Sequence, residues 1–420
     1  LYREVVVNLR FLKTIAAPVA LLAAASMASG QFAQDKFAQD NGCSLYSCSD
    51  FPGDQWPTDP VPATSVSIGN PTGITVDPKG NVYIAGPSIV FKLDPSGKLT
   101  RIAGNGHNGY SGDGGQARDA LLGFPSAVPN DPIDFWDVAG SLASDASGNL
   151  YIADFFNSRV RKIASDGVIS TVAGEGFAKP FGWTAGVAWM PTRGPRETRR
   201  PQDSSTYRPT VGAAGDLYAV GSYDTVWKVD SGGSTRILDN NCGHPEKLGV
   251  CVPYGLATDR NGNVYVADSG NSRVLQRSSD GDITVVVGRF CAAHCGSSSG
   301  DGGPAASATL SEPYGLAVDA AGNLFIVDTY SNRIRKVSPD GIITTVAGRG
   351  PAYGYQYKGG YSGDGGPAID AELNLPHAVA VDAAGNIYIA DTENFRIRKV
   401  SVQGIITTVA GNGSWCCAGQ

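Results

Sequence analysis

Hydrophobic positions recur along this chain in short blocks. Residues 313–348 read PYGLAVDAAGNLFIVDTYSNRIRKVSPDGIITTVAG, and 376–411 read PHAVAVDAAGNIYIADTENFRIRKVSVQGIITTVAG. The unit returns at 253–288 and 139–174, in shorter form at 71–104 and in degenerate form at 208–238. Each copy holds four runs rich in Val, Ile, Tyr and Thr, exemplified by GLAVD, NLFIVD, RIRKV and IITTVAG. Such residues favour strands. The second run is almost wholly apolar, as expected of a sheet covered on both faces. D-x-x-G-N, as at Asp319 to Asn323, separates runs one and two, and PDG, SDG or PSG separates runs three and four. Both are tight-turn signals, Asp opening the turn and Gly accepting left-handed backbone.

A period of this kind decides the fold. Hairpin-joined, four-stranded units that must bury both faces suit blades around an axis. The chain is therefore expected to be all-β, a six-bladed β-propeller. A β-helix would need shorter coils without regular hairpins, and a sandwich would not repeat one sheet six times. ATSVSIGNPTG (63–73) looks like the end of a fourth strand, and its expected place is beside the last blade, helping to close the ring. With this topology the long insertions 105–138, 175–207, 239–252, 289–312 and 349–375 all emerge at one end of the ring.

Composition changes the picture only at the margins. Of 420 residues, 55 are Gly and 17% are charged, which fits many turns and few exposed helical faces. A net charge of −6 gives no support for nucleic-acid binding, which favours a basic domain. Arg10 and Lys13 precede the apolar run Ile15 to Ala25, and small residues follow in SMASG. That is the pattern of a secretory signal, with cleavage expected between Ala28 and Ala33; a short N-terminal membrane anchor is the alternative. No later run is long and apolar enough to span a bilayer, so the mature chain is expected to carry no transmembrane span. The expected location is secreted, periplasmic or cell-surface.

Export makes disulfides the default reading of the eight cysteines. They lie in close pairs: Cys43 and Cys48, Cys242 and Cys251, Cys291 and Cys295, Cys416 and Cys417. Cys242–Cys251 and Cys291–Cys295 suit local staples, whereas the terminal pairs can also tie the chain's beginning to its end. CAAHC at 291–295 lacks the second cluster that structural zinc needs. The expected organisation is a signal and upstream extension (1–33), a Cys-containing linker (34–62), the propeller (63–413) and a Cys-containing tail (414–420).

Candidate chemistry is sparse. Asp154, Asn157 and Arg159 recur as Asp268, Asn271 and Arg273, and as Asp391, Asn394 and Arg396, with Asp328, Asn332 and Arg333 in the fifth unit. Repetition of this order points to structure, an Asp–Arg pair at each blade rim. Asp113, Asp301 and Asp364 of the recurring SGDGG loops supply one carboxylate each, far fewer oxygens than calcium takes. No cofactor is expected, with calcium or another divalent metal as the alternative. GNGHNG (104–109) and GSSSG (296–300) mimic phosphate-loop and nucleophile motifs without the strand–turn–helix setting those need. His377 breaks the repeat. It stands where Tyr254 and Tyr314 stand in their units, at the entry of strand one, and all three are expected at the channel mouth. The insertions carry Trp136, Trp183, Trp189, Arg193, Arg196, Tyr353, Tyr355 and Tyr357. Aromatics and Arg on loops favour recognition.

The pattern P-x-G-[LIV]-[AT]-V-D, G-N-[LIV]-Y-[IV]-A-D, N-x-R-[IV], spanning about residues 63 to 413, resembles the NHL repeat. The SGDGG loops are similar to those of exported bacterial NHL-repeat proteins, and related repeats occur in teneurin-like surface proteins. The resemblance implies a propeller used mostly as a binding platform. It points to a non-enzymatic module holding a protein or glycan of the envelope or matrix through its connector loops. A more distant relative, peptidyl-amidoglycolate lyase, holds zinc through several channel histidines. Here only His377 takes such a position, since His107, His244 and His294 fall in connectors. A metal-dependent hydrolase or lyase at the channel is therefore the alternative function.

Overall fold

The computed structural model describes residues 56–124, 142–174, 208–289, 298–350 and 359–414, apart from 213–214, 222–223, 231–232 and 243–247. Six antiparallel sheets follow one another along them. Blade 1 is built of Gly73–Val76, Val82–Gly86, Ile89–Leu93 and Lys98–Ala103. Blade 2 is Leu142–Ser144, Leu150–Asp154, Arg159–Ile163 and Ile169–Ala173; blade 3 is Arg208–Val211, Leu217–Gly221, Thr225–Asp230 and Gly233–Leu238. Blade 4 is Pro253–Thr258, Val264–Asp268, Arg273–Arg277 and Ile283–Val287. Blade 5 is Pro313–Val318, Leu324–Asp328, Arg333–Val337 and Ile343–Ala347, and blade 6 is Ala378–Val381, Ile387–Asp391, Arg396–Val400 and Ile406–Ala410. Each first strand neighbours the first strand of the next blade, and that of blade 6 neighbours that of blade 1. The expected six-bladed ring is the observed one.

The D-x-x-G-N turn forms for a local reason. Asp319 Oδ1 accepts the backbone N–H groups of Ala321 (2.9 Å) and Asn323 (2.8 Å), and its Oδ2 accepts the Asn323 side-chain amide. Gly322 sits at φ +86°, which a side chain would strain. Asp77, Asp145, Asp259 and Asp382 repeat the arrangement. The apolar second strands then pack between blades. Six separate clusters result, one per junction: Ile84, Phe91 and Ile397 between blades 6 and 1, for example, and Ile326, Val274 and Leu310 between blades 4 and 5.

The connectors run differently from expectation. They leave and re-enter at one end of the ring, but their SGDGG stretches are straps along the outer edge, reaching the hairpins of the opposite end. Gly104 N–H donates to Ala117 O (3.0 Å), closing the strap on blade 1, while Ala117 N–H donates to Gly167 O (2.9 Å) in the hairpin of blade 2. Gly114 and Ile169 add two further backbone bonds along the outer strand of blade 2. Ala305 and Ala368 repeat the stitch before blades 5 and 6. Strand edges invite pairing, and these straps cover them.

The segment preceding blade 1 provides the missing stitch. Gly411 N–H donates to Ala63 O (3.0 Å) and Ala63 N–H to Gly97 O (3.0 Å), the pattern of Ala117. Segment 63–73 does lie beside the last blade, as a strap instead of a strand. Val61–Pro62 pairs with Leu99 and Lys98, adding a fifth strand to blade 1. Trp56 packs edge-on against Phe91 (centroids 5.5 Å).

Cys242–Cys251 is a disulfide, as expected of that pair. It closes the short connector between blades 3 and 4, which has no SGDGG strap. The other candidates, Cys43, Cys48, Cys291, Cys295, Cys416 and Cys417, lie outside the described residues. Replacing both Cys242 and Cys251 with Ser should cost about 2–3 kcal/mol, the loss expected for a loop of this length. Urea midpoints of variant and parent compare this directly; equal midpoints would make the bridge dispensable.

Candidate binding face at the connector end

The end where connectors leave the ring is shaped by three buried arginines. Arg161, Arg335 and Arg398 occupy one position in the third strands of blades 2, 5 and 6, and none is more than 1% exposed. Arg398 Nη1 contacts Asp391 Oδ2 (3.2 Å) at the end of strand two, while Nη2 reaches Asp364 Oδ1 (2.8 Å) in the strap. Arg161 bridges Asp154 (3.1 Å) and Asp113 (2.7 Å) alike, and Arg335 bridges Asp328 and Asp301. The expected pairs with Arg159, Arg333 and Arg396 are thus corrected. Those residues stand directly opposite the Asp across the ladder. Arg159 and Arg396 instead bond loop carbonyls and stack on Tyr110 and Tyr361 (3.9 Å each). Only Asp268 takes the expected partner, Arg273 (2.6 Å).

The strap aspartates serve these arginines. Asp113 also accepts the Tyr110 hydroxyl (2.9 Å), and Asp301 accepts the Thr345 hydroxyl (2.7 Å). Among the described residues, the one cluster with metal-ligand geometry is Asp224, Cys242 and Cys251, whose two sulfurs are joined to each other.

Inside this frame, the entries of the first strands converge on the channel mouth. Tyr254 and Tyr314 stack with centroids 4.2 Å apart, and the His377 ring lies 5.3 Å from Tyr314. Gly255 allows this approach, since a Cβ there would collide with the Tyr314 carbonyl oxygen. All three rings are at least nine-tenths buried, and together with Thr72 they line a channel cavity of about 210 Å³. Among the described residues these rings come from blades 4, 5 and 6, and blade 1 has Thr72 at the matching position. Above the rings, Tyr330 of the blade 5 loop meets Tyr314 edge-on (6.2 Å).

Two loop residues escaped the sequence reading, Tyr330 and Glu393. Both follow the Asp that ends strand two by two positions, where blades 2 and 4 have Phe156 and Gly270. That divergence inside an otherwise regular D-x-x-N was the available signal. Burial, reinforced by the charge of Asp391, pushes the Glu393 carboxyl up to about 7. Trp136, Trp183, Trp189, Arg193, Arg196, Tyr353, Tyr355 and Tyr357 lie outside the described residues. His107 is exposed, in the strap before blade 2.

Comparison with known proteins follows the same lines. The family model for the teneurin NHL domain matches residues 210–356 and 355–418, and a β-propeller repeat matches 63–90. Teneurin-4 of Mus musculus is 28% identical over 363 residues, covering 79% of this chain and 12% of that protein. Teneurin-1 of Mus musculus is 34% identical over 333 residues, covering 75% and 9%. The chain thus spans about a tenth of the length of these relatives. A structural-genomics protein of unknown function from Bacteroides thetaiotaomicron superposes with a TM-score of 0.56 at 18% identity, covering 83% of this chain and 73% of its own. An auxiliary nutrient binding protein from the same organism gives 0.51 at 16%, covering 81% and 70%. At these identities the two structures share the fold. Among the described residues no helix is long and apolar enough to cross a membrane.

Proposed function

We propose that this chain, which belongs to the NHL-repeat β-propeller family, is an exported, non-enzymatic binding module that holds a cell-surface protein or glycan at the connector end of the ring. The observation that carries this reading is the aromatic cluster of Tyr254, Tyr314 and His377 at the channel mouth, capped by the half-buried Tyr330. A purely structural residue obeys the repeat; His377 departs from the Tyr that blades 4 and 5 share, and Tyr330 from the Phe156 and Gly270 of blades 2 and 4, at the mouth of a rigid scaffold. Loops on such scaffolds commonly carry recognition. The aromatic- and Arg-rich segments containing Trp183, Trp189 and Tyr355 depart from strands that finish at this same end.

The test is a glycan array and a panel of purified envelope proteins probed with the mature chain. Combined replacement of Trp183, Trp189, Tyr330 and Tyr355 by Ala should weaken the bound signal at least about tenfold, the effect of losing one good anchor, with the melting temperature unchanged. Undiminished binding by a folded variant would refute this face. A metal retained at one equivalent after dialysis would favour a channel-metal hydrolase or lyase instead.

A further inference from the structure

Five junctions of the ring are crossed by continuous chain. The sixth, between blades 6 and 1, is closed without a peptide bond. Gly411 and Asn412 donate their N–H groups to Ala63 and Val66 (3.0 Å each), and Ser67 Oγ reaches Ser414 O (2.7 Å). Thr392 Oγ1 donates to Pro71 O (2.8 Å). Between these bonds Asn70, 1% exposed, faces the loop of blade 6. Its Nδ2 lies 3.4 Å from Glu393 Oε1, while its buried Oδ1 receives no hydrogen bond.

A carboxylate only accepts hydrogen bonds; a carboxylic acid also donates one. With Glu393 ionised, an acceptor therefore faces an orphaned amide oxygen. With Glu393 protonated, a small turn of the amide lets the acid O–H serve Asn70 Oδ1 while Nδ2 serves the other acid oxygen, and every buried group is satisfied. We propose that this acid–amide pair is a proton-dependent latch on the ring's open seam, closed while Glu393 keeps its proton and loosened when it ionises.

The surroundings agree. The strap residues 66–72 bring no titratable or charged side chain to the loop. Asp391, on Glu393's own loop, adds a negative charge that Arg398 pairs. Arg396, beyond the loop, is held by the Asn394 and Asn412 carbonyls. Residues 374–377 contribute Asn374 and His377, the latter against Tyr314. Burial first, and Asp391 second, raise the Glu393 pKa to about 7 from its ordinary 4.5. The closed seam then holds a proton that an open seam releases, so closure is fully supported below about 4.5 and is lost as pH rises through about 7.

Amide exchange reads this directly, because the ring carries its own controls. Gly348 bonds Ala368, and Gly288 bonds Ala305, as Gly411 bonds Ala63, but at junctions crossed by chain. Between pH 6 and pH 8 the protection factors of Gly411 and Asn412 should fall about tenfold, the fold-change such a linked proton gives, while those of Gly348 and Gly288 hold. In Glu393→Gln, a permanent hydrogen-bonding mimic of the acid, Gly411 should stay equally protected at both pH values. A parallel fall at all four glycine-junction amides in the parent chain, or a retained tenfold fall at Gly411 in the Gln variant, would overturn the latch. The parent comparison stands alone if the variant fails to fold.

Discussion

Replacing Arg398 with Met should destabilise the ring by about 3–5 kcal/mol, the loss expected when one partner of a buried ion pair is removed. Arg398 is fully buried and holds two carboxylates at once, Asp391 in the blade and Asp364 in the strap. It also donates to the carbonyls of Ser362 (2.9 Å) and Glu372 (3.3 Å). Methionine has similar length and leaves Asp391 charged, buried and short of its counter-ion. Adding Asp391→Asn should recover part of the loss, since the uncompensated charge is then gone while the amide oxygen still accepts the Asn374 N–H, although the bond from the Asn394 amide is given up. Urea midpoints for the single and double variants decide the matter. A single variant within about 1 kcal/mol of the parent, the size of an exposed pair's contribution, would show that the bridge acts like a surface one.

That arginine marks where sequence reading stopped. The blade count, the turns and the ring followed from periodicity, because each D-x-x-G-N turn is satisfied within its own few residues. The Asp at the end of strand two was legible as structural for the same reason. Its partner was not, since the choice between Arg396 and Arg398 depends on the strap from the preceding connector, a tertiary contact. Yet a comparison of repeats contains the answer. Arg161, Arg335 and Arg398 stand in the blades preceded by SGDGG; Phe91, Trp227 and Leu275 stand at that position in the blades that lack it. Blade 4 shows the substitute arrangement, with Arg273 bonding Asp268 and the Gly249 carbonyl (3.0 Å), and a disulfide where the strap would be. Glu393 and Asn70 were invisible for a further reason. They are 323 residues apart and meet only because the ring closes.

The same stitch makes a second large effect measurable against a built-in control. Gly348 and Gly341 both belong to blade 5, and both hold left-handed backbone, at φ +86° and +80°. At Gly341 an added Cβ would meet nothing within 4 Å. Gly341→Ala should therefore cost only the conformational strain, about 1–2 kcal/mol. At Gly348 the Cβ would collide with the carbonyl oxygen of Asn332 and press on Arg333 Cα. Neither atom can retreat easily, because Asn332 is itself left-handed (φ +51°) and anchors the chain between strands two and three. Gly348 N–H, meanwhile, is the bond that seats the next strap on Ala368 (2.9 Å). Gly348→Ala should accordingly cost about 3 kcal/mol or more, strain of the Gly341 kind plus the overlap. The loss should be accompanied by faster exchange of the amides of residue 348 and Arg349, which donate to Ala368 O and Ala371 O. If the two alanine variants melt together, the close approach of strand four to the strand two–three loop does not constrain the blade, and the stitch is looser than its hydrogen bonds indicate.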